Sequence, residues 1–482
     1  MQIIYIASEM EPYCKVGGLG DVMGTLPKKI SGKGPDVKVI IPDYGVIDHD
    51  KYNINSYFDY FLIDIAGKKY KCKVSRLAPA KENYEIFLIG NDELFDRPGI
   101  YTDSKGDAYK DNFLRFLFFQ RATLHYFSKS DLQPDIIHCH DNQTALIPVY
   151  LKYKYPKSQV FINSKTILTL HNIGYQGITD FHNKRYMELP EKLFNPCALL
   201  EWYGQINPLK GGILSADKVT TVSEEHAREI SNNERLSAGL MPVIKSRKDE
   251  IIGILNGVDY DQWNPETDEY ISVNYSLADF AGKKENKVSI QKEMDFPDEN
   301  SKIPLIGMVS RLVEQKGIEL IIDKIESILS FNVRMVILGS GSEKFHLELK
   351  KFAQKYPSRL KIYFSYNIPL SHRIIAGSDI LLMPSRYEPC GITQMLAMQY
   401  GTVPLAHKTG GLADTITDMQ TGFLFDKYDS QAMVNAIDRA LQVYKKQAQW
   451  EDLMINGMNS DFSWDNSVNE YFSLYTEMVG KK

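Results

Sequence analysis

The chain has 482 residues, 43% hydrophobic and 24% charged, enough for two large or three ordinary domains with full cores. Its 56 Lys and Arg against 61 Asp and Glu leave a net charge of −5, which argues against a binder of nucleic acid or anionic membrane. Five cysteines without a C-x-x-C pair argue against a disulfide framework or a structural zinc site. The start MQIIYIASEMEPYCKVGG lacks the basic lead of a signal peptide, and no window approaches the ~18 uninterrupted apolar residues of a membrane span. A cytoplasmic protein is expected.

Short β-branched runs alternate with longer stretches of helical period, the pattern of parallel α/β folds. In the first half the predicted strands are 3–7, 37–41, 85–89, 135–139, 166–170 and 218–222, with helices at 113–127 and from about Thr144. In the second half they are 251–255, 304–309, 335–338, 361–364, 380–383 and 403–406. The reading is two doubly wound units in tandem: 1–250, then 251–458, with 459–482 a C-terminal helix packing back on the first. The turn signal Asn256-Gly257, followed by Pro265, marks the junction. Open α/β sheets bind ligands at the carboxyl ends of their strands, so the loops there are the places to search.

Lys15-Val16-Gly17-Gly18-Leu19-Gly20-Asp21 follows the first strand and opens a helix. Glycines there allow backbone amides to approach a phosphate or sugar, and Lys15 adds a positive charge. The spacing matches neither a P-loop nor a dinucleotide fingerprint, so a plain strand-to-helix turn stays open. His138-Cys139-His140-Asp141 ends another strand, with both histidines on one face. They suit hydrogen bonding to a polar substrate, or bonding among themselves. His171-Asn172 closes the next strand.

In the second half Arg311 and Lys316 follow a strand and precede a helix, where paired cations suit a diphosphate. Pro384 through Gln394 follows another strand and brings Glu388 next to Gly391. A carboxylate beside free amides can bind sugar hydroxyls and an anion together. No base is near Cys390 in sequence, so it reads as a packed thiol rather than a nucleophile. The D-x-D pairs at Asp48 and Asp259 are discounted as chance.

In this order the motifs resemble the ADP-glucose-dependent glycogen and starch synthases, glycosyltransferase family five. They are Ser8-Glu9 with Lys15–Val22, His138–Asp141, His171-Asn172 with Tyr175-Gln176-Gly177, Leu255–Asp259, Ser310-Arg311-Leu312 with Gln315-Lys316-Gly317, Pro384–Gln394 and Thr409–Leu412. The resemblance implies a GT-B fold of two Rossmann-like domains facing a cleft. It implies retaining transfer of glucose from ADP-glucose to the non-reducing end of an α-1,4-glucan, with no metal cofactor. By resemblance Glu388, His140, Arg311, Lys316 and Lys15 are the catalytic set, with His140 on the glucose, Arg311 and Lys316 on the diphosphate, and Lys15 approaching the donor. Lys15, Gly17, Gly18, Asn256, Arg311, Lys316, Tyr366, Cys390, Gly391 and Thr393 would bind the donor, Tyr366 by stacking on adenine. Asp21 and Asp111 would lie on the acceptor side. Asn142 stands where relatives carry Trp, Glu224-Glu225-His226 where Pro and Tyr are common, and Lys408 where Arg or Ser is frequent; these bear on acceptor preference. The alternatives are a UDP-glucose or small-acceptor transferase and an idle glucan-binding protein, the latter disfavoured by the presence of Lys15, Arg311, Lys316 and Glu388.

Overall fold

Strands that are apolar at nearly every position suit a sheet covered on both faces, and Ile3, Ile4, Tyr5 and Ile6 are fully buried in the first of them. The computed structural model describes residues 1–77, 84–104, 106–247, 250–297, 302–365 and 367–480. The chain divides into two compact units, Met1–Val222, Ala227–Ile254 and Trp464–Lys482 forming the first, Ser223–His226 and Leu255–Ser463 the second.

The first unit contains β1 (Gln2–Ile6), β2 (Asp36–Pro42), β3 (Asn55–Ile65), β4 (Lys68–Leu77), β5 (Tyr84–Gly90), β6 (Ile136–His140) and β7 (Lys165–Leu170). The short β8 (Thr179–Asp180), β9 (Glu201–Trp202) and β10 (Gln205–Ile206) follow, then β11 (Lys218–Thr221) and β12 (Ile251–Gly253). One nine-stranded sheet runs β12-β11-β7-β6-β1-β2-β5-β4-β3, and β8, β10 and β9 make a small separate sheet. Pairing is parallel from β12 through β5, while β4 is antiparallel to both β5 and β3.

The second unit contains β13 (Leu305–Val309), β14 (Arg334–Leu338), β15 (Leu360–Tyr363), β16 (Ile380–Met383), β17 (Val403–His407) and β18 (Phe423–Phe425). These form a six-stranded parallel sheet in the order β15-β14-β13-β16-β17-β18. Counted within the unit this is the 3-2-1-4-5-6 order of a doubly wound fold. The first unit repeats it as β5-β2-β1-β6-β7-β11, with β12 added at one edge. The order reverses between β1 and β6 in one unit and between β13 and β16 in the other, and ligands of such sheets bind outside the strand ends at that point.

Two features differ from the sequence reading. The run at 251–255 is not the opening strand of the second unit, because β12 pairs in parallel with β11 and completes the first sheet. The β3–β4 hairpin was also unforeseen. Its turn places Ala66 and Gly67 at φ 52° and 84°, the left-handed pair that a tight hairpin demands. The alternation through β3 and β4 buries Phe61, Ile63 and Ile65 on one strand and Tyr70, Cys72 and Val74 on the other.

The helix Trp464–Val479 belongs to the first unit and is fastened by a buried polar chain. The Tyr475 hydroxyl lies 2.9 Å from that of Tyr5 and 2.8 Å from His138 Nδ1. His138 Nε2 meets Thr169 Oγ1 at 2.6 Å, which meets Thr220 Oγ1 at 2.6 Å. β1, β6, β7, β11 and the last helix are thus joined by side chains that would be costly to leave unbonded. Burial pushes His138 down to about 3, so it folds as the neutral imidazole. Its contribution to stability is complete above the ordinary imidazole value of about 6.5 and is lost progressively as pH falls toward 3. Between pH 7 and 5 His138 alone is expected to cost about 2 kcal/mol. Denaturant unfolding at the two pH values checks this, with His138→Gln expected to lose that share of the dependence.

Candidate active site

In the first unit β1 ends at Ile6 and the loop of residues 7–17 leads into the helix Gly18–Ser31. The Lys15 ammonium sits between two carboxylates, 2.6 Å from Glu11 Oε2 and 2.5 Å from Asp21 Oδ1. Burial pushes Asp21 up to about 6 against the pull of Lys15. Burial would raise Glu11 too, but the Lys15 ammonium holds it below its usual range. Lys15, Gly17, Gly18 and Asp21 are therefore gathered as expected, in a loop richer in acid than in base. The Gly17 amide is engaged, since it donates to Glu9 Oε2 at 2.8 Å. Asp111 stands before the helix Asn112–Phe127, and Arg97 grips both its oxygens at 2.8 and 2.6 Å. Burial would raise Asp111, but that guanidinium keeps it low.

His140 ends β6 and is fully buried, stacked on His138 with ring centroids 4.3 Å apart, and its Nε2 has no hydrogen-bond partner among the described residues. Its Nδ1 lies 2.9 Å from Nε2 of His171, and His171 is partly exposed at the end of β7. Burial and the neighbouring imidazoles hold His140 well below the usual histidine value. Burial also pushes His171 down to about 3, so both rings of this pair are held neutral. Asp141 takes φ 56°, and its Oδ1 accepts the His171 amide at 2.7 Å. In sequence His171 stands out by its place at a strand end and by the His171-Asn172 motif of the resemblance.

In the second unit three segments meet at the β13/β16 reversal. Arg311 follows β13 and is exposed, its guanidinium 3.4 Å from Gln315 Oε1. Lys316 ends a short 3-10 turn, and its ammonium reaches Glu388 Oε2 at 2.5 Å. Ser385 donates to the same oxygen at 2.9 Å. Glu388 is 6% exposed, and these two donors fix its position. Sequence reasoning missed Ser385, which no pattern distinguishes from a turn serine. Gly317 adopts φ 70°, and a Cβ there would collide with the Pro384 carbonyl oxygen. Gly411 is equally tight, its amide donating to the Glu388 carbonyl at 3.0 Å while a Cβ would strike the Cys390 carbonyl oxygen.

Cys390 is buried, and burial pushes its thiol up to about 12, the state of a packed thiol rather than a nucleophile. The backbone of Asn256 bonds to it. Asn256 itself is 4% exposed, and its Oδ1 has no partner among the described residues. Gly391 takes φ 70° just before the helix Thr393–Gln399. Arg311, Lys316, Glu388, Cys390, Gly391, Thr393 and Asn256 therefore all belong to one unit, around one turn. Tyr366 lies outside the described residues. Among the described residues no three His, Cys, Asp or Glu side chains are grouped to hold a metal ion.

Residues 2–246 match the model of the starch synthase catalytic domain, and residues 289–453 match glycosyl transferases group 1. The glycogen synthase of Geotalea daltonii is 41% identical over the whole of both chains. The chain belongs to the starch and glycogen synthase family. It is a glycosyltransferase with the GT-B fold of that family. The Thermotoga maritima glycogen synthase is 38% identical, over the whole of this chain and 99% of its own. The catalytic domain of starch synthase IV from Arabidopsis thaliana, solved with ADP and acarbose, matches with a TM-score of 0.91 at 34% identity, covering 100% of this chain and 99% of that one. A sucrose-phosphate synthase from Thermosynechococcus elongatus, 17% identical with a TM-score of 0.61 and 99% of each chain covered, shares the fold.

Gly317→Ala is expected to push the Lys316 turn off the 384–388 segment. Misplacement on this scale costs about 10²-fold in kcat/KM. Steady-state kinetics beside a thermal melt will separate this from simple unfolding; wild-type kinetics would show that the close approach is not needed.

Proposed function

We propose that the chain transfers glucose from ADP-glucose to the non-reducing end of an α-1,4-glucan, with retention and without a metal ion. Glucosyl transfer to a glucan is the activity of the family to which it belongs. The observation that carries the reading is the Lys316–Glu388–Ser385 constellation at the β13/β16 reversal, beside Arg311 and the unpartnered Asn256 carbonyl. The adenine nucleotide is supported by the Arabidopsis starch synthase IV domain, which was solved with ADP and acarbose.

The chemistry follows from these groups. As the glycosidic bond to ADP breaks, negative charge grows on the diphosphate, and fixed cations lower that barrier most where water is sparse. Lys316 has three protons, so holding Glu388 leaves it donors for a phosphate. Arg311 offers a planar fork suited to phosphate oxygens. These two cations supply in this reading the charge that a divalent ion supplies in other transferases. Glu388, anchored through one oxygen, accepts from glucose hydroxyls and stabilises positive charge at the anomeric carbon. The leaving phosphate takes the acceptor proton on the same face, which gives retention with no second carboxylate. On the other unit Lys15 serves the donor, while Asp21, Asp111 and His171 offer acceptors and donors to sugar hydroxyls. We place the reaction in the cytoplasm, in keeping with five free cysteines.

ADP release from ADP-glucose should rise strongly with glycogen and persist in EDTA, with UDP-glucose a poor donor. Preference for UDP-glucose, or indifference to glycogen, would reject this assignment and leave the family. Glu388→Gln should lower kcat by at least about 10²-fold; substantial remaining turnover would exclude an obligatory carboxylate.

A further inference from the structure

The transfer chemistry gives no role to one of the most fully bonded carboxylates in the first unit. Glu9 is 4% exposed and lies three residues beyond the end of β1. Its Oε2 accepts the amides of Val16 at 2.6 Å and Gly17 at 2.8 Å. Its Oε1 accepts the Tyr101 hydroxyl at 2.6 Å, and Ser8 Oγ lies 2.7 Å from that same hydroxyl. The Tyr101 carbonyl accepts the side-chain amide of Asn112 at 2.9 Å, one residue after Asp111.

Two successive amides converging on one oxygen form an anion cradle of the kind that holds phosphates. Here the protein fills the cradle with its own carboxylate. A buried carboxylate is tolerable only when its lone pairs are bonded, and three short charge-assisted bonds meet that need. The amides of Val16 and Gly17 thus shape the loop and are not offered to a ligand. Gly20 completes the arrangement, because a Cβ there would come within 2.8 Å of Lys15 Cγ and 3.5 Å of Glu9 Oε2. The Lys15 stem therefore passes close over Gly20, and Glu9 holds the backbone of the two residues that follow Lys15.

We propose that Glu9 is a positioning residue for the transfer reaction, shaping the loop that carries Lys15 and Asp21 and tying it through Tyr101 to the segment that carries Asp111. The proposal rests on the transfer reading given above. It assigns Glu9 no contact with substrate. With the tie removed, the two segments no longer hold a common register, and water competes with the glucan hydroxyl. The bond from the anomeric carbon to the phosphate oxygen then breaks with water adding at carbon, so that free glucose and ADP leave together.

The test uses the full chain as wild type, Glu9→Ala, Glu9→Gln and Tyr101→Phe. Four quantities are measured: kcat, KM for ADP-glucose and for glycogen separately, the ratio of ADP released to glucose incorporated into glycogen, and the melting temperature. Glu9→Ala is expected to lose about 10²-fold in kcat, with a raised ratio of ADP released to glucose incorporated. Tyr101→Phe removes one hydroxyl and should shift the ratio the same way by less. Glu9→Gln should recover most of kcat, because its amide oxygen can accept both loop amides while its NH2 donates to the Tyr101 oxygen. A wild-type ratio and kcat in Glu9→Ala overturn the proposal, as does a loss that Glu9→Gln does not recover. If Glu9→Ala does not fold, Tyr101→Phe decides, and an unchanged ratio there overturns the tie. A wild type that rejects ADP-glucose would instead count against the function, and the ratio would then be measured with the donor it accepts.

Discussion

Each unit depends on one topological constraint: a parallel sheet that begins in its middle must reverse its strand order there. The chain leaves β1 toward one edge and returns to lay β6 on the other side, and it repeats the manoeuvre from β13 to β16. At the reversal the two neighbouring loops diverge to opposite faces, so their carboxyl ends leave a gap that packing does not close. The Lys15 loop and the His138–Asp141 segment flank one such gap. The Arg311–Lys316 turn and the Ser385–Glu388 turn flank the other. The helices, glycines and buried polar chains serve largely to keep these four loops in place.

The two sites are electrically unlike. In the first unit Glu11 and Asp21 flank a single ammonium, so the loop carries more acid than base around Lys15. In the second unit Lys316 pairs with Glu388, and Arg311 is exposed beside the Gln315 side-chain carbonyl.

Much of this was legible because both sheets are covered on both faces, which writes β1 and β13 into the sequence as largely apolar runs. The site motifs were legible because they stand directly after those runs. What escaped had weaker signatures. The β3–β4 hairpin alternates with period two and turns on Ala66-Gly67, a pair less distinctive than Asn-Gly. β12 is only three residues long and half-buried, so nothing local says which sheet it joins. Ser385 and Glu9 act through hydrogen bonds to partners far along the chain or across a loop, which spacing does not encode.

The return of the last helix has a consequence for how the molecule is made. Apart from Ser223–His226, the second unit is a continuous stretch from Leu255 to Ser463, so all its strands have left the ribosome before the helix that begins at Trp464. The first unit starts earlier but lacks Tyr475 until the final residues emerge, and until then Tyr5 and His138 have no partner from that helix. Domains fold as units as they are synthesised. The later unit is therefore able to complete its core first, while the earlier one waits, nearly finished, for its last helix.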